Sequence, residues 1–244
     1  MIQGFSAAAV EFLRGLAAHN TREYWLDHKV EFEALVQAPL ESVLGALPEP
    51  YVGFRTFRMN RDVRFSSDKS PYKTAHSSLQ HDRGAVRYIH FDADGLYVAT
   101  GAYQFAPDQL ERFRRAVDAP ASGIALQEVI SGLTASELEV THGGPEPLKT
   151  APRGYDKDHP RIELLRFKGV TALARFAPAL ITDGDRVLAQ VLGVFESSQP
   201  LVAWLQDNVG ETTFGDRRRW PEGATAGEAG RFTALAWRAV SPLT

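Results

Sequence analysis

Between Phe54 and Thr74 the chain reads FRTFRMNRDVRFSSDKSPYKT, and here side chains suited to chemistry crowd together. From Arg55 to Lys73 there are six basic groups (Arg55, Arg58, Arg61, Arg64, Lys69, Lys73) and two acids (Asp62, Asp68), a local net of +4. The whole chain carries -3, so about -7 lies elsewhere by subtraction. Arginine presents a planar fork of donors that matches phosphate or carboxylate, and lysine adds a compact positive charge. The set therefore suits an anion site, with Arg58, Arg61, Arg64, Lys69, Tyr72 and Lys73 as ligand-binding candidates. Asp62, Asp68 and His76 are the candidates for proton transfer. Interleaved Arg and Asp also satisfy one another, so a structural brace of ion pairs is the competing reading.

Such a stretch must be held by the elements around it. As a strand it would place Phe57, Met59, Val63 and Phe65 on one face and Arg58, Asn60, Asp62 and Arg64 on the other. Arg61 then falls on the apolar face. Either a bulge or an end of the strand at Met59 to Arg61 re-aims it, or it is partly buried and needs an acceptor, for which Asp62 and Asp68 are nearest in sequence. Ser66 to Pro71 is rich in turn formers, and Pro71 keeps Ser70 extended.

Upstream, the spacing predicts a helix over 5–18, with Ser6 as cap and Phe5 and Val10 stapled across it. A second helix is predicted from Asn20 to about Val36, with Glu23 completing a capping box and His28 on its buried stripe. Pro39 opens a third, which ends at Leu47-Pro48. Downstream, periodicity turns to that of strands: Thr74 to Asp82, Ala85 to Asp92 and Leu96 to Phe105, joined at Arg83-Gly84 and Asp94-Gly95 as an antiparallel meander. His76, Ser78 and Gln80 share a face, which reads as solvated or, beside the Arg-rich loop, as a binding surface. Helices follow at Pro107 to Val117 and Gly123 to Leu133, and a short strand near Leu138 to Thr141.

His142 to Pro147 is rich in Gly and Pro and reads as a sub-domain hinge or a loop. Lys149 and Arg153, beyond it, are a second basic pair that could close over an anion. A short helix through Leu164-Leu165, a strand over Phe167 to Ala172, and helices from Asp183 and Pro200 complete a single α+β domain over 1–208. That domain places N-terminal helices on a mainly antiparallel sheet and further helices in its C-terminal half. The remainder, 209–244, with Arg217-Arg218-Arg219 and a Gly/Ala/Glu run, reads as an extension.

At 244 residues, 44% hydrophobic and 23% charged, the composition is that of a globular protein able to bury a large core. Cysteine is absent, which excludes disulfides and thiolate chemistry. No apolar run approaches the roughly 18 residues of a membrane span and no signal-peptide pattern opens the chain, so a cytoplasmic location and no membrane partner are expected. A pI of 6.2 argues against broad nucleic-acid binding and leaves only a local basic patch for it. No nucleotide cradle, nucleophile elbow or spaced metal-ligand set appears, so no cofactor and no metal are expected. His90-Phe91-Asp92 puts two polar side chains on one strand face, too few for a metal.

Three further groups of residues carry a resemblance. Thr21-Arg22-Glu23-Tyr24-Trp25 with His28-Lys29 is the first. Arg58-x-x-Arg61-Asp62-Val63-Arg64-Phe65-x-x-Asp68-Lys69-Ser70-Pro71-Tyr72-Lys73-Thr74 is the second and longest. Leu148-Lys149-x-x-Pro152-Arg153-Gly154-Tyr155 with Leu164-Leu165-Arg166 is the third. Together they resemble the bacterial and fungal family catalogued as domain of unknown function 2461, over roughly residues 4 to 208, with Arg153 where Lys is expected. The resemblance brings no established reaction, cofactor or substrate, but it singles out the same charged stretch. Two hypotheses follow: an anionic small molecule bound through Arg58, Arg61, Arg64, Lys69 and Lys73 with Lys149 and Arg153, with or without catalysis, or a protein-interaction module in which the loop is a brace.

Overall fold

The computed structural model describes residues 1–62, 64 and 68–213. The predicted C-terminal extension beyond Thr213 lies outside the described residues, as do Val63, Phe65, Ser66 and Ser67 of the charged stretch.

The first helix, α1 (Ala7–Ala18), starts as its sequence dictates: the Ser6 hydroxyl accepts from the Ala9 N–H, and Val10, Leu13 and Leu16 are buried. The second, α2 (Arg22–Phe32), is capped by Thr21 rather than Asn20; the Thr21 Oγ1 accepts from the Tyr24 N–H at 3.1 Å. Asn20 is taken by a more distant partner, described below. A π-turn over Glu33–Gln37 joins α2 to α3 (Ala38–Ala46). Pro39 explains the widened turn, since it has no N–H to give the carbonyl four residues back.

The sheet contains β1 (Arg55–Thr56), β2 (His76–Asp82), β3 (Ala85–Asp92), β4 (Gly95–Ala102), β5 (Glu139–Thr141) and β6 (Val170–Phe176). Its order is β1-β2-β3-β4-β6-β5, antiparallel throughout. Arg83 and Gly84 both take positive φ, 44° and 96°, the two-residue turn whose twist matches the flanking strands. Among the described residues, the strand expected to run through the charged stretch is β1, at Arg55 and Thr56.

Directly paired residues of antiparallel strands point to the same side, so the register defines two faces. One carries His76, Ser78, Gln80, Arg87, Ile89, Phe91, Val98 and Ala172. The helices gather there: Phe5 stacks on Phe91 at 4.1 Å, Phe32 of α2 meets the His76 ring, and Gln199 bonds Arg87. That layer also holds α4 (Pro107–Asp118), α5 (Pro120–Ala135), α6 (Ile162–Arg166), α7 (Gly184–Ser197) and α8 (Gln199–Asn208). Their apolar stripes join one hydrophobic core with α1 to α3 and the sheet.

The His76, Ser78, Gln80 face is therefore buried, which corrects the solvated reading. The cause is that the backbone before β1 and β1 itself take up its polar groups. Gln80 Nε2 donates to the carbonyls of Pro50 and Val52, and Ser78 Oγ lies 2.8 Å from Thr56 Oγ1. The 142–147 stretch is pinned at the end of β4: the Gly144 N–H donates to the Tyr103 carbonyl at 2.8 Å. Gly143 takes φ 76°, and a Cβ there would overlap the Tyr103 carbonyl oxygen, so only glycine permits this approach. Among the described residues no helix is long and apolar enough to cross a membrane.

Candidate functional site

The charged loop leaves β1 and returns to β2 through a narrow neck. Asn60 and Tyr72 form a β-bridge, flanked by bonds from the Arg61 N–H to the Pro71 carbonyl (2.9 Å) and from the Lys73 N–H to the Met59 carbonyl (2.8 Å). Asn20 clamps the neck from the N-terminal helices. Its Nδ2 donates to the Tyr72 carbonyl at 2.9 Å, and its Oδ1 accepts from the Tyr72 N–H at 3.0 Å. The Tyr72 ring stacks on Trp25 of α2 at 4.6 Å. The N-terminal motif and the charged motif thus meet physically at Asn20, Trp25 and Tyr72.

Inside the loop both acids are engaged. Arg61, whose side chain is nearly buried, pairs with Asp68, while Arg64 makes a bidentate pair with Asp62. The Arg64 side-chain bond, then its backbone N–H, hold the Asp62 carboxyl down to about 2. Bonds from Arg61 and Ser70 hold the Asp68 carboxyl well below the ordinary carboxylate range. Both acids are therefore ionised at neutral pH. Lys73 reaches over the Phe57 ring, 5.3 Å from its centroid, and donates to the Arg58 carbonyl. Arg58 and Lys69 are exposed on the same loop, whereas Lys149 and Arg153 are exposed on a separate one beyond Leu148. Among the described residues no bond ties the second basic pair to the first.

His76 enters the core rather than a cleft. It is 4% exposed, it meets the Phe32 ring edge-on, and neither ring nitrogen has a hydrogen-bond partner among the described residues. Burial first, then the positive charge of Lys73, push its pKa down to about 4, so it is neutral at pH 7.

The opposite face of the sheet holds a constellation that the charge pattern did not single out. Ser77 pairs with His90, His90 with Tyr97, and Tyr97 with Arg175, one row across four strands. Ser77 Oγ lies 2.9 Å from His90 Nδ1, and His90 Nε2 lies 3.2 Å from Asp92 Oδ2. The Tyr88 hydroxyl donates to Ser77 Oγ and lies 3.0 Å from His90 Nδ1. Ser77 and His90 are buried, at 8% and 5% exposed, while Tyr88, Asp92 and Tyr97 are half-buried. The Arg175 guanidinium covers the Tyr97 ring at 4.8 Å.

Electrostatics fix the polarity of this group. Burial pushes the Asp92 carboxyl up, but the bond from His90 and the N–H groups of Asp94 and Gly95 outweigh it, leaving it below its ordinary value. Burial lifts the Tyr88 phenol to about 12 despite the bond to Ser77, so it stays protonated. Burial likewise raises the Tyr97 phenol, with Arg175 opposing. An ionised Asp92 accepts from Nε2–H, which leaves Nδ1 as acceptor for the Ser77 hydroxyl. The hydrogen bonds then run one way, Tyr88 to Ser77 to His90 to Asp92.

The row and the loop are joined. The Phe57 N–H donates to the Ser77 carbonyl at 2.9 Å, extending the β1–β2 register by one residue and placing Phe57 beside Ser77. Lys73 lies over that ring, so cationic groups stand at both ends of the row, Lys73 at one and Arg175 at the other. Among the described residues no three His, Asp or Glu side chains converge as metal ligands.

A family model described as "Conserved hypothetical protein (DUF2461)" matches residues 8–204. No curated protein matches the chain. Among solved structures, an uncharacterized protein from Methanothermobacter thermautotrophicus is similar at 12% identity, covering 55% of this chain and 82% of that one, with a TM-score of 0.34.

Proposed function

This chain belongs to the DUF2461 family, and from the arrangement of its own residues we propose that it binds an anionic small molecule, bearing phosphate or carboxylate, on the sheet face bordered by the charged loop. The observation that carries this reading is the single row Ser77, His90, Tyr97 and Arg175, with Lys73 docked at its Ser77 end. Strands lie about 4.8 Å apart, so Ser77 and Arg175 are separated by about 14 Å. That span suits an extended ligand with charge at one end or both. In this reading Arg61 and Arg64 spend their forks on Asp68 and Asp62 and stiffen the loop, while Arg58, Lys69 and Lys73 supply the attracting field. Lys149 and Arg153 contribute only if their loop closes toward the sheet.

A thermal-shift screen against phosphate, sulfate, nucleotides, sugar phosphates and dicarboxylates tests this reading. A ligand at about 100 times its Kd stabilises by about 2.7 kcal/mol, a readable shift. The shift should vanish in Arg175→Ala and in Arg58→Ala/Lys73→Ala while both variants stay folded. If no compound in the panel shifts the parent, or if the shift survives both variants, the reading is wrong.

A second reading, as a protein-interaction module, is favoured by one observation: Leu26 and Val30, one turn apart on α2, are exposed large hydrophobics. Leu26→Glu/Val30→Glu would abolish partner capture in this case and leave the thermal-shift response to anions unchanged.

A further inference from the structure

The chain of hydrogen bonds on the sheet face has the order that nucleophilic catalysis needs. We propose that Ser77, His90 and Asp92 act as nucleophile, base and orienting acid in cleaving an ester of the anionic ligand through an acyl-Ser77 intermediate. This rests on the anion-site reading for the substrate's class, an ester carrying a carboxylate or phosphate group for Arg175 or Lys73 to hold.

Three features support it. A serine hydroxyl is a poor nucleophile unless an adjacent base takes its proton, and His90 Nδ1 is within 2.9 Å of Ser77 Oγ. The base in turn needs an orienting partner on its other nitrogen, and the Asp92 carboxylate supplies it at 3.2 Å. The phenol of Tyr88, held protonated 3.0 Å from Ser77 Oγ, stands beside the nucleophile as a donor for the negative charge that develops on the substrate carbonyl oxygen. All three supports stand on two adjacent strands, and neither strand depends on a mobile element to bring them together.

The steps balance without a further reagent. Ser77 Oγ attacks the carbonyl carbon as its proton passes to His90 Nδ1. The bond from that carbon to the ester oxygen then breaks, and the leaving alcohol takes the proton from Nδ1. Water attacks the acyl group, gives a proton to Nδ1, and Oγ regains that proton as its bond to the acyl carbon breaks. The sum is ester plus water to acid plus alcohol.

A neutral alkyl fluorophosphonate tests the nucleophile without requiring an anion site, since Oγ forms the bond to phosphorus and fluoride leaves. Intact-mass spectrometry of the full chain should show one adduct, and peptide mapping should place it on Ser77. Ser77→Ala should abolish it. His90→Gln and the shape-preserving Asp92→Asn should each slow labelling by about 100-fold or more while retaining a cooperative melt. The labelling rate of the parent should rise with pH as a single base is uncovered, a dependence that a merely structural cluster would not produce. The proposal is overturned if the folded parent takes no adduct on Ser77, or if labelling is indifferent to both His90→Gln and Asp92→Asn. Labelling at Ser77 with no anion response would sink the anion reading and leave the nucleophile standing. Anion binding without labelling does the reverse.

Discussion

Strand β3 presents two polar systems back to back, and they are built for different ends. Toward the helices, Arg87 is 1% exposed and is bonded to Gln80, Asp82 and Gln199, with its guanidinium over Tyr51. That system joins the sheet, the segment before β1 and α8. One residue along, Tyr88 and His90 bond to Ser77 and to each other, and Asp92 bonds His90, on two neighbouring strands. Burial alone therefore does not separate brace from site. What separates them is whether the bonds join distant elements or align a nucleophile with a base.

The contrast can be broken at several places. The largest effect is expected on the helix side: Arg87→Ala takes the guanidinium from Asp82 Oδ2 and Gln80 Oε1 and should cost about 3 kcal/mol or more in urea unfolding. Tyr88→Phe, on the other face, should cost about 1 kcal/mol. Equal losses would erase the distinction between the faces.

Acid should act on the two faces in different pH windows. For His76 the folded pKa of about 4 lies below the ordinary 6.5, so the unfolded chain binds the extra proton between those values. Stability is full above pH 6.5 and falls by about 3 kcal/mol as pH drops toward 4. His76→Leu should flatten that window. The Asp92 carboxyl is also depressed, so its contribution is present above the ordinary carboxylate value of 3.8 and is lost only as pH falls through its lower folded value. Asp92→Asn should flatten the profile only there. If His76→Leu leaves the 4 to 6.5 region unchanged, its burial is not what sets that slope.

Asn20→Ala removes two bonds to the Tyr72 backbone and should cost about 2 kcal/mol, while weakening anion binding through a loosened loop neck. Smallest of all, Arg64→Ala breaks a solvent-exposed pair and should leave the melting midpoint unchanged. A large loss there would make the loop a brace throughout.

Much of this was legible in the chain. The helices, the two hairpins and the family followed from spacing and motif, and the family match spans 8–204. Ser77 and His90 stand equally far on either side of Arg83-Gly84, so a two-residue turn there makes them cross-strand partners. That signal is in the sequence, but the polar parity of His76, Ser78 and Gln80 and the charge of the loop are stronger. Arg175 stood out by no motif, because its partner Tyr97 is remote in sequence and only the β4–β6 register joins them. Asn20 looked like a cap because Asn and Thr serve equally there, and only the tertiary bond to Tyr72 assigns the role to Thr21. The strand ends before Arg61, one of the alternatives the sequence allows: β1 pairs with β2 at Arg55 and Thr56, the Phe57 N–H adds one bond to Ser77, and the chain is then held by the Asn60–Tyr72 bridge.

The most direct measurement is a histidine-ring NMR titration with the strongest anion from the thermal-shift panel, with the His90 and His76 signals assigned by single substitutions to Gln. The account predicts that the His90 ring nitrogens shift in proportion to occupancy while those of His76, behind the sheet, stay fixed. A saturating shift at His76 with none at His90, or bound anion with neither moving, would contradict the claim that the Ser77–His90–Arg175 face is where this protein works.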